Sequence, residues 1–306
     1  MGKNKLRRAI ENPRKILDFL LKRYARFFKD DKRYLSMRWL SVMGYSMPWD
    51  NPRTYNEKQQ WLKLYDRMPE YTMMVDKFLV KKYVANIIGE EYIIPTIGVW
   101  ESADDIDFDS LPDRFAIKCN HNSGTGMYIC KDKSKMNVEK VREGLRNGLK
   151  ENYYIYNREW PYKDVPRRIL AEQFMEDHKT GELRDYKFFC FDGVVRGLFI
   201  ATGRSKGEHA VCFDFFDADF NHLPVLHGHP NAKVMPEKPE TFEEMKRIAS
   251  VLSKGIPSVR IDLYEINGKV YFGEITFTHW GGFMPFTPRE WDAKFGEWIK
   301  LPNKHV

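Results

Sequence analysis

The segment SVRIDLYEINGKVYFGEITF, residues 258–277, constrains the possible fold more strongly than any other part of the chain. Two runs rich in β-branched and aromatic residues flank Asn267-Gly268, and this pattern is the strongest short-range signal of a β-hairpin. Because successive side chains of a strand point to opposite faces, a one-residue change in the pairing exchanges the two faces. The turn of this hairpin therefore decides which of its charged residues lie together.

Two turns are compatible with this hairpin. A two-residue turn pairs residue 262 with residue 273, so that Asp262 and Glu274 point to opposite faces. A three-residue loop, Ile266-Asn267-Gly268 with its glycine in the left-handed region, pairs residue 262 with 272 and residue 260 with 274. With this loop, which we predict, four polar residues share one face: Arg260, Asp262, Glu274 and Thr276.

Carboxylates on strands that are otherwise apolar are costly to bury unless another group compensates their charge. One interpretation is a structural salt bridge, in which Arg260 alone neutralises them. The other is a divalent cation held by Asp262 and Glu274, with phosphate oxygens completing its coordination shell, an arrangement that magnesium favours. The hairpin alone leaves both interpretations open.

A second polar feature interrupts the strand-like segment FAIKCNHNSGTGMYIC, residues 115–130. Lys118 lies near the end of the first apolar run, and its ammonium group is a compact charge that can reach a phosphate. The tip Ser123-Gly124-Thr125-Gly126 can present backbone N–H groups to phosphate oxygens, because glycine lets a ligand approach the backbone closely. Alone this signal is weak, since similar residues form ordinary hairpin tips and neither common phosphate-binding glycine motif is matched.

Two further strand-like segments, RRILAEQFMED at 167–177 and LRDYKFFCFDG at 183–193, carry charges within apolar runs. Glu172 ends the apolar run of the first segment. In the second segment Asp185 and Lys187 alternate with aromatic residues, so that both point to one side of the strand. A solvated strand face is the simpler alternative for this pair.

Composition and charge set the frame for these features. Short apolar runs beyond about residue 90 are interrupted by helical segments, which predicts an α+β fold behind a helical first third. Residues 1–35 carry a net charge of +8, whereas the other 271 residues carry −1, so a nucleic-acid binder is not expected. No apolar run is long enough to span a membrane and the four cysteines form no CxxC pair, which predicts a cytoplasmic protein with reduced thiols.

The basic head of the chain predicts an amphipathic helix that begins near Asn12-Pro13. Its apolar residues recur at helical spacing, and its lysines and arginines lie off that stripe. Such a helix can lie on an anionic membrane surface, which would give residues 1–35 a peripheral membrane contact. The alternative is that its apolar stripe packs on the rest of the protein.

In their order along the chain, these features resemble the ATP-grasp superfamily, and within it the TupA-like branch that is associated with teichuronopeptide and other surface-polysaccharide gene clusters. The resemblance runs from NEKQQWLKLYDR and DKFLVKKYV through LPDRFAIKCNHNSGTG and DYKFFCFDG to RIDLY and YFGEITFT. It implies a fold in which two α+β subdomains clamp ATP. We expect a helical extension over 1–70 and an ATP-grasp domain over 71–306, with a lid subdomain at about 115–170 and a C-terminal subdomain at about 171–306.

The resemblance implies nucleotide-binding roles for several residues. Lys118 would contact the α- and β-phosphates of ATP. Glu172 would meet the amino edge of adenine, and the main chain around Gln173 and Met175 would complete the purine slot. Ser123, Gly124 and Gly126 would belong to the mobile phosphate lid. Asp185 would be the acidic residue on the ribose side.

The resemblance also implies a catalytic and metal-binding centre. Lys187 would lie near the γ-phosphate, and Arg260 would stabilise an acyl-phosphate. Magnesium would be held by Asp262, Glu274 and Thr276. The family commonly has asparagine where Thr276 stands; a hydroxyl or its bound water can still serve magnesium, which leaves open whether one or two ions bind.

Three further segments carry candidate residues. Arg204 and Lys206 are candidates for a clamp on phosphate or on an acidic sugar, with solvent-exposed charge as the alternative. The turn THWGGF, residues 278–283, follows the hairpin directly and is either a tight turn or part of the acyl-transfer centre. Asp217-Ala218-Asp219 matches the Asp-x-Asp pattern of many glycosyltransferases but lacks the flanking strand order.

The activity that the resemblance implies is ATP-dependent ligation of a carboxylate to an amine through an acyl-phosphate. The carboxylate would belong to a uronic acid in a surface glycan or its precursor, or to an amino acid, and the amine to an amino acid or other amine. The precursor would be a small molecule or linked to a lipid at the inner membrane face. Alternatives are a glycan-directed kinase on the same scaffold, a glycosyltransferase, and a non-catalytic ATP-binding protein.

Overall fold

The computed structural model describes residues 13–181, 183–203 and 210–304. Within these ranges the chain forms nine α-helices and ten β-strands. The helices are α1 (Pro13–Arg23), α2 (Asp31–Met43), α3 (Tyr55–Tyr65), α4 (Glu70–Val75), α5 (Leu79–Ile88), α6 (Val138–Lys150), α7 (Tyr153–Asn157), α8 (Phe242–Leu252) and α9 (Glu290–Trp298). The strands are β1 (Thr96–Trp100), β2 (Phe115–Cys119), β3 (Met127–Cys130), β4 (Ile169–Gln173), β5 (Asp185–Phe191), β6 (Val194–Thr202), β7 (Cys212–Asp217), β8 (His222–Leu223), β9 (Val259–Ile266) and β10 (Lys269–Thr276).

The strands form two separate antiparallel sheets, which confirms the predicted α+β class. The smaller sheet has the strand order β1-β4-β2-β3. Side chains alternate along its strands, and the buried set packs against α6 in a core that includes Phe115, Ile117, Ile169 and Leu145. This sheet carries the glycine-rich loop between β2 and β3.

The larger sheet has the strand order β10-β9-β5-β6-β7-β8 and is covered on both faces. One face packs against α8 through residues such as Phe188 and Ile261. The other face packs against α3 and α9 through residues such as Phe189 and Phe295. Because residues 260 and 262 alternate with Ile261 along β9, their side chains point to the same side as α3 and α9.

The first third of the described chain is helical, as the sequence predicts. Helix α1 begins at Pro13, and the predicted cap residue Asn12 lies outside the described residues. Helices α1 and α2 share a small core with α3 that contains Leu21, Tyr34 and Leu35. This core joins the helical region to the rest of the protein, and the boundary predicted at residue 70 stays a prediction.

The turn of the terminal hairpin differs from the predicted three-residue loop. Ile266 pairs with Lys269, so the turn contains only Asn267 and Gly268. Both turn residues have positive φ, 52° and 75°, the conformation in which an Asn-Gly turn matches the twist of a hairpin. The predicted three-residue loop was therefore wrong, because Asn267 adopts a positive φ together with Gly268 and these two residues close the hairpin by themselves.

A β-bulge nevertheless brings the charged residues onto one face. The register advances by one residue at Gly273, so that Glu274 pairs with Asp262 and Thr276 pairs with Arg260. A β-carbon at position 273 would lie 2.9 Å from a neighbouring tyrosine ring and 3.0 Å from the carbonyl oxygen of Asp262. The glycine is therefore what lets the extra residue fit between the two strands.

We predict that Gly273→Ala destabilises the protein, because the added β-carbon forces the hairpin apart at the bulge. The expected loss is about 1–3 kcal/mol in the free energy of unfolding, measured by denaturant titration. The matched control is Gly144→Ala in α6, where a β-carbon meets no atom within 4 Å. Alanine there should stabilise the helix by up to about 1 kcal/mol, and equal effects of the two substitutions would contradict the bulge argument.

Candidate functional site

A cleft of about 910 Å³ lies where the two sheets face each other. The smaller sheet contributes Lys118 and the tip of its glycine-rich loop, and the larger sheet contributes the polar residues of β5, β9 and β10. Side chains from α1 and α2, among them Asp18 and Arg38, line the cleft as well. The volume is in the upper range for small-molecule sites, and the helical region supplies part of the wall.

Arg260 lies at the centre of the polar face and is buried. Its Nε donates to Asp262 Oδ1 at 2.6 Å, and its Nη2 donates to Asp262 Oδ2 at 2.8 Å. Nη2 also approaches Glu274 Oε1 and Thr276 Oγ1, each at 3.0 Å. Burial lowers the pKa of the guanidinium, but the surrounding carboxylates outweigh burial and hold that pKa above its usual range. Two carboxylates and one hydroxyl thus converge on one cation.

Lys187 extends this network along β5. Its Nζ donates to Asp262 Oδ2 and lies 3.3 Å from Asp185 Oδ1. All three residues are buried. Asp262 Oδ1 accepts from Arg260, and Asp262 Oδ2 accepts from both Arg260 and Lys187, so both oxygens are engaged. The salt bridge between Arg260 and the two hairpin carboxylates, which was one interpretation of the sequence, is therefore present.

The donor set at the hairpin also fits a magnesium ion. Asp262, Glu274 and Thr276 supply oxygen ligands only, which is the chemistry that magnesium prefers. The side chain of Glu274 is 31% exposed, and its second oxygen has Lys77 Nζ at 3.7 Å. Burial raises the pKa of Glu274, but Lys77, Lys187 and Arg260 outweigh burial and keep it ionised. Glu274 can therefore offer a charged oxygen to the cleft, whereas Asp262 would first exchange a cationic partner.

Glu172 on β4 lies between two lysines. Lys118 approaches Glu172 Oε2 at 2.5 Å, and Lys81 of α5 pairs with the other oxygen. Burial raises the pKa of this carboxyl, but the two ammonium groups outweigh burial and hold the pKa below its usual range. The structure therefore links Glu172 to Lys118, two residues that the sequence assigned to different parts of a nucleotide.

The glycine-rich loop is anchored at its base and open at its tip. A β-carbon on Gly126 would lie 2.7 Å from Cys119 Sγ and 2.8 Å from the backbone of Gly148, so this glycine lets the loop pack on α6. At the tip, a β-carbon on Gly124 would meet nothing within 4 Å, and Ser123 and Gly124 are exposed at the cleft. Only the tip has room to contact a ligand.

Some predicted site residues do not line the cleft. The described lining does not include Gly126, Glu172, Gln173 or Met175, and the backbone N–H of Gln173 donates to the carbonyl of Pro95 at 3.0 Å. Arg204 lies outside the described residues. Asp217 accepts hydrogen bonds from backbone N–H groups of the turn that follows it, at 2.8 and 2.9 Å, which gives the Asp-x-Asp pattern a structural role.

Two residues at the cleft carried no assigned role in the sequence prediction. Lys77 donates to the carbonyl of Asn122 at 2.8 Å, below the glycine tip, and faces Glu274. His279 Nδ1 accepts from Arg260 Nη1 at 2.6 Å. Because arginine has no acceptor, His279 must be neutral with its proton on Nε2. Both lie in or beside segments that the sequence singled out, but their partners lie far along the chain.

The two facing sheets, with a glycine tip, buried cations and carboxylates between them, define an enzyme of the ATP-grasp class. The chain matches the model of the TupA-like ATPgrasp family over residues 57–300 and therefore belongs to that family. This match confirms the predicted family and the ATP-grasp fold, and it places the chain among ATP-grasp enzymes. No curated protein matches the chain significantly.

Solved structures of ligases resemble the chain at low sequence identity. D-alanine–D-alanine ligase from Helicobacter pylori is 14% identical, with 80% of this chain and 69% of that chain covered and a TM-score of 0.45. D-alanine–D-alanine ligase from Bacillus anthracis complexed with ATP is 14% identical, with 78% of this chain and 61% of that chain covered and a TM-score of 0.41. N5-carboxyaminoimidazole synthase from Aspergillus clavatus is 9% identical, with 77% of this chain and 54% of that chain covered and a TM-score of 0.40. The chain thus spans about half to two thirds of the length of these neighbours.

We predict that His279→Leu destabilises the protein more than His279→Asn does. Leucine leaves Arg260 Nη1 buried without an acceptor, at an expected cost of about 1–3 kcal/mol, whereas asparagine keeps an acceptor oxygen near the position of Nδ1. The measurement is the free energy of unfolding of both variants at pH 7. Equal losses would contradict the assigned hydrogen bond.

The same histidine predicts a pH dependence. Burial and the charge of Arg260 hold the pKa of His279 well below its usual value, so below about pH 6.5 the unfolded chain binds a proton that the folded protein does not. Unfolding free energy therefore falls as the pH is lowered from 6.5 to 5, and His279→Asn should reduce that slope by an amount that rises to about 1.4 kcal/mol per pH unit near pH 5. The slope that remains includes His227, whose pKa burial lowers to about 3.

Proposed function

We propose that this protein is an ATP-dependent carboxylate–amine ligase that forms an amide bond through an acyl-phosphate. The observation that carries the proposal is the convergence of Arg260, Lys187, Lys118 and an open glycine tip on one cleft. Each step of such a reaction develops negative charge on oxygen atoms, and preorganised cations in a partly enclosed cleft stabilise that charge. The family places the chain among ATP-grasp enzymes, which supports ATP as the phosphate donor.

The proposed chemistry has two steps. The carboxylate of the first substrate attacks the γ-phosphate of ATP, which gives an acyl-phosphate and ADP. The amine of the second substrate then attacks the acyl carbon, phosphate leaves, and the amine loses a proton. Arg260 and Lys187 would hold the phosphoryl oxygens in both steps, and Lys118 would hold the phosphates nearer the ribose.

Magnesium fits this proposal through the oxygen ligands of the hairpin. Asp262, Glu274 and Thr276 would hold the ion, which would supply positive charge at the transferred phosphoryl group when it is bound. The residues of the chain do the rest of the work. Arg260 fixes both carboxylates, and closure of the tip at Ser123 and Gly124 would exclude water, which otherwise hydrolyses an acyl-phosphate.

The substrates that we propose are a uronic-acid carboxylate of a surface glycan or its precursor, and an amino acid or other amine. The support is the family match over residues 57–300, together with the association of the TupA-like branch with surface-polysaccharide gene clusters. Ligation would leave an amide, whereas a kinase on the same scaffold would leave phosphate on the acceptor. Mass spectrometry of the product therefore separates the two.

We predict that Glu274→Gln lowers ADP formation from ATP, magnesium, a uronic acid and an amino acid by about 100-fold or more. Glutamine keeps the shape of the side chain but removes the charged oxygen that faces the cleft. Asp262→Asn should act in the same direction and should also lower stability, since Asp262 pairs with two buried cations. The control is Glu139→Gln on the exposed surface of α6, and retained turnover in Glu274→Gln would contradict the metal assignment.

We also propose that α1 carries a peripheral contact with an anionic membrane. Leu21 faces the protein core. Five large apolar side chains are exposed on the other side of the helix and in the turn that follows it: Ile16, Phe19, Leu20, Tyr24 and Phe27. Basic residues flank this face, and none of the described helices is both long and apolar enough to cross a bilayer. Helix α1 thus has one face for packing and one for an anionic surface, which supports a lipid-linked acceptor at the cytoplasmic face of the membrane.

We predict that Phe19→Ser with Phe27→Ser weakens binding to phosphatidylserine vesicles by about tenfold or more. These two side chains are 61% and 64% exposed, so their removal should leave the fold unchanged. The measurement is co-sedimentation with vesicles at low and at physiological salt. The control is Val234→Ser, an 84% exposed apolar residue outside the helix, and equal vesicle binding by all three proteins would contradict the proposal.

A further inference from the structure

Trp280 is an exposed aromatic ring inside the cleft. It lines the cavity and is 42% exposed, whereas the residues beside it, His279 and Gly281, are buried. Its backbone has φ 51° and ψ 28°, a left-handed conformation that bulky residues seldom adopt. Strained conformations of this kind persist only where the surroundings enforce them, and they cluster at ligand sites.

Buried polar groups enforce this conformation. Lys63 of α3 is buried and donates to the carbonyl oxygens of Gly281 at 2.9 Å and of Asn157 at 2.8 Å. Gln60 Nε2 donates to the carbonyl of Gly282 at 2.7 Å. The turn is therefore fixed from α3, and Trp280 projects into the cleft with part of its ring packed against Gly228.

The ring is covered in part by the protein and is otherwise open to the cleft. Gly228 packs against the indole, since a β-carbon there would be 3.0 Å from it, and the side chain keeps 42% of its surface exposed. The imidazole of His229, whose ring centre is 5.9 Å from that of Trp280, also lines the cleft. Trp280 follows His279, which contacts Arg260, so the ring lies one residue from the centre where we place phosphoryl transfer.

We propose that Trp280, with His229 beside it, is a stacking platform for the pyranose ring of the acceptor. This inference rests on the proposed function and adds where the sugar binds. The face of a pyranose that carries axial C–H bonds is apolar and stacks on a flat aromatic ring, while its hydroxyl and carboxylate groups stay at the edge. A uronate stacked on Trp280 would direct its carboxylate to the side of the cleft that holds Arg260.

The test is direct binding of D-glucuronate and D-galacturonate to the full chain with ADP and magnesium, by saturation-transfer NMR and calorimetry. Trp280→Asn removes the ring, and asparagine tolerates the left-handed backbone, so the variant is expected to fold. We expect at least a tenfold loss of uronate affinity in Trp280→Asn and a loss of threefold or less in Trp280→Phe. ADP affinity should be the same in all three proteins, which is a readout that misfolding would change.

The outcomes separate the platform from the proposed function. Unchanged uronate affinity in Trp280→Asn, or absence of uronate binding to the unaltered protein, would each overturn the platform. If uronate binding depends on Trp280 but no amide forms with any amine, the platform stands and the ligase proposal fails. If amide forms and its dependence on uronate concentration is the same in Trp280→Asn, the ligase proposal stands and the platform fails.

Discussion

The buried guanidinium of Arg260 is the interaction on which the rest of the site depends. A charge removed from water is costly unless hydrogen bonds and opposite charges compensate it, and Arg260 makes five hydrogen bonds, three of them to carboxylate oxygens. Four of them go to the hairpin, which explains why β10 needs a bulge to turn Glu274 and Thr276 toward Asp262 and Arg260. A sheet with regular pairing would have left the arginine facing only one carboxylate.

The fifth hydrogen bond of Arg260 connects the sheet to the helical region. It goes to His279, which begins the turn that Lys63 and Gln60 of α3 hold through its carbonyl groups. Helix α3 in turn shares a core with α1 and α2. The helices at the start of the chain therefore build one wall of the cleft and fix the turn beside Arg260. They contribute directly to the site, whereas the sequence predicted only a helical extension of the ATP-grasp domain.

The sequence predicted most strands of the fold, because alternation and turn residues are local signals. It did not predict the register of the hairpin, although Gly273 within a strand pattern is itself a signal of a bulge. The shared face of the charged residues was expected for a different reason, a three-residue loop that the structure does not contain. The pairing of Glu172 with Lys81, and of His279 with Arg260, joins residues with no local pattern in common, and only the assembled fold brings them together.

Charge balance explains why one cleft can serve both an anion and a cation. Among the described residues, four lysines and two arginines line it together with four carboxylates. Each of these cations already has an acidic partner, as Lys118 has Glu172 and Lys187 has Asp262. A polyphosphate alone would take the cations and leave buried carboxylates unpaired, and a metal ion alone would do the reverse. A nucleotide that arrives with a divalent ion satisfies both sets together, so the paired network itself favours joint binding of the two.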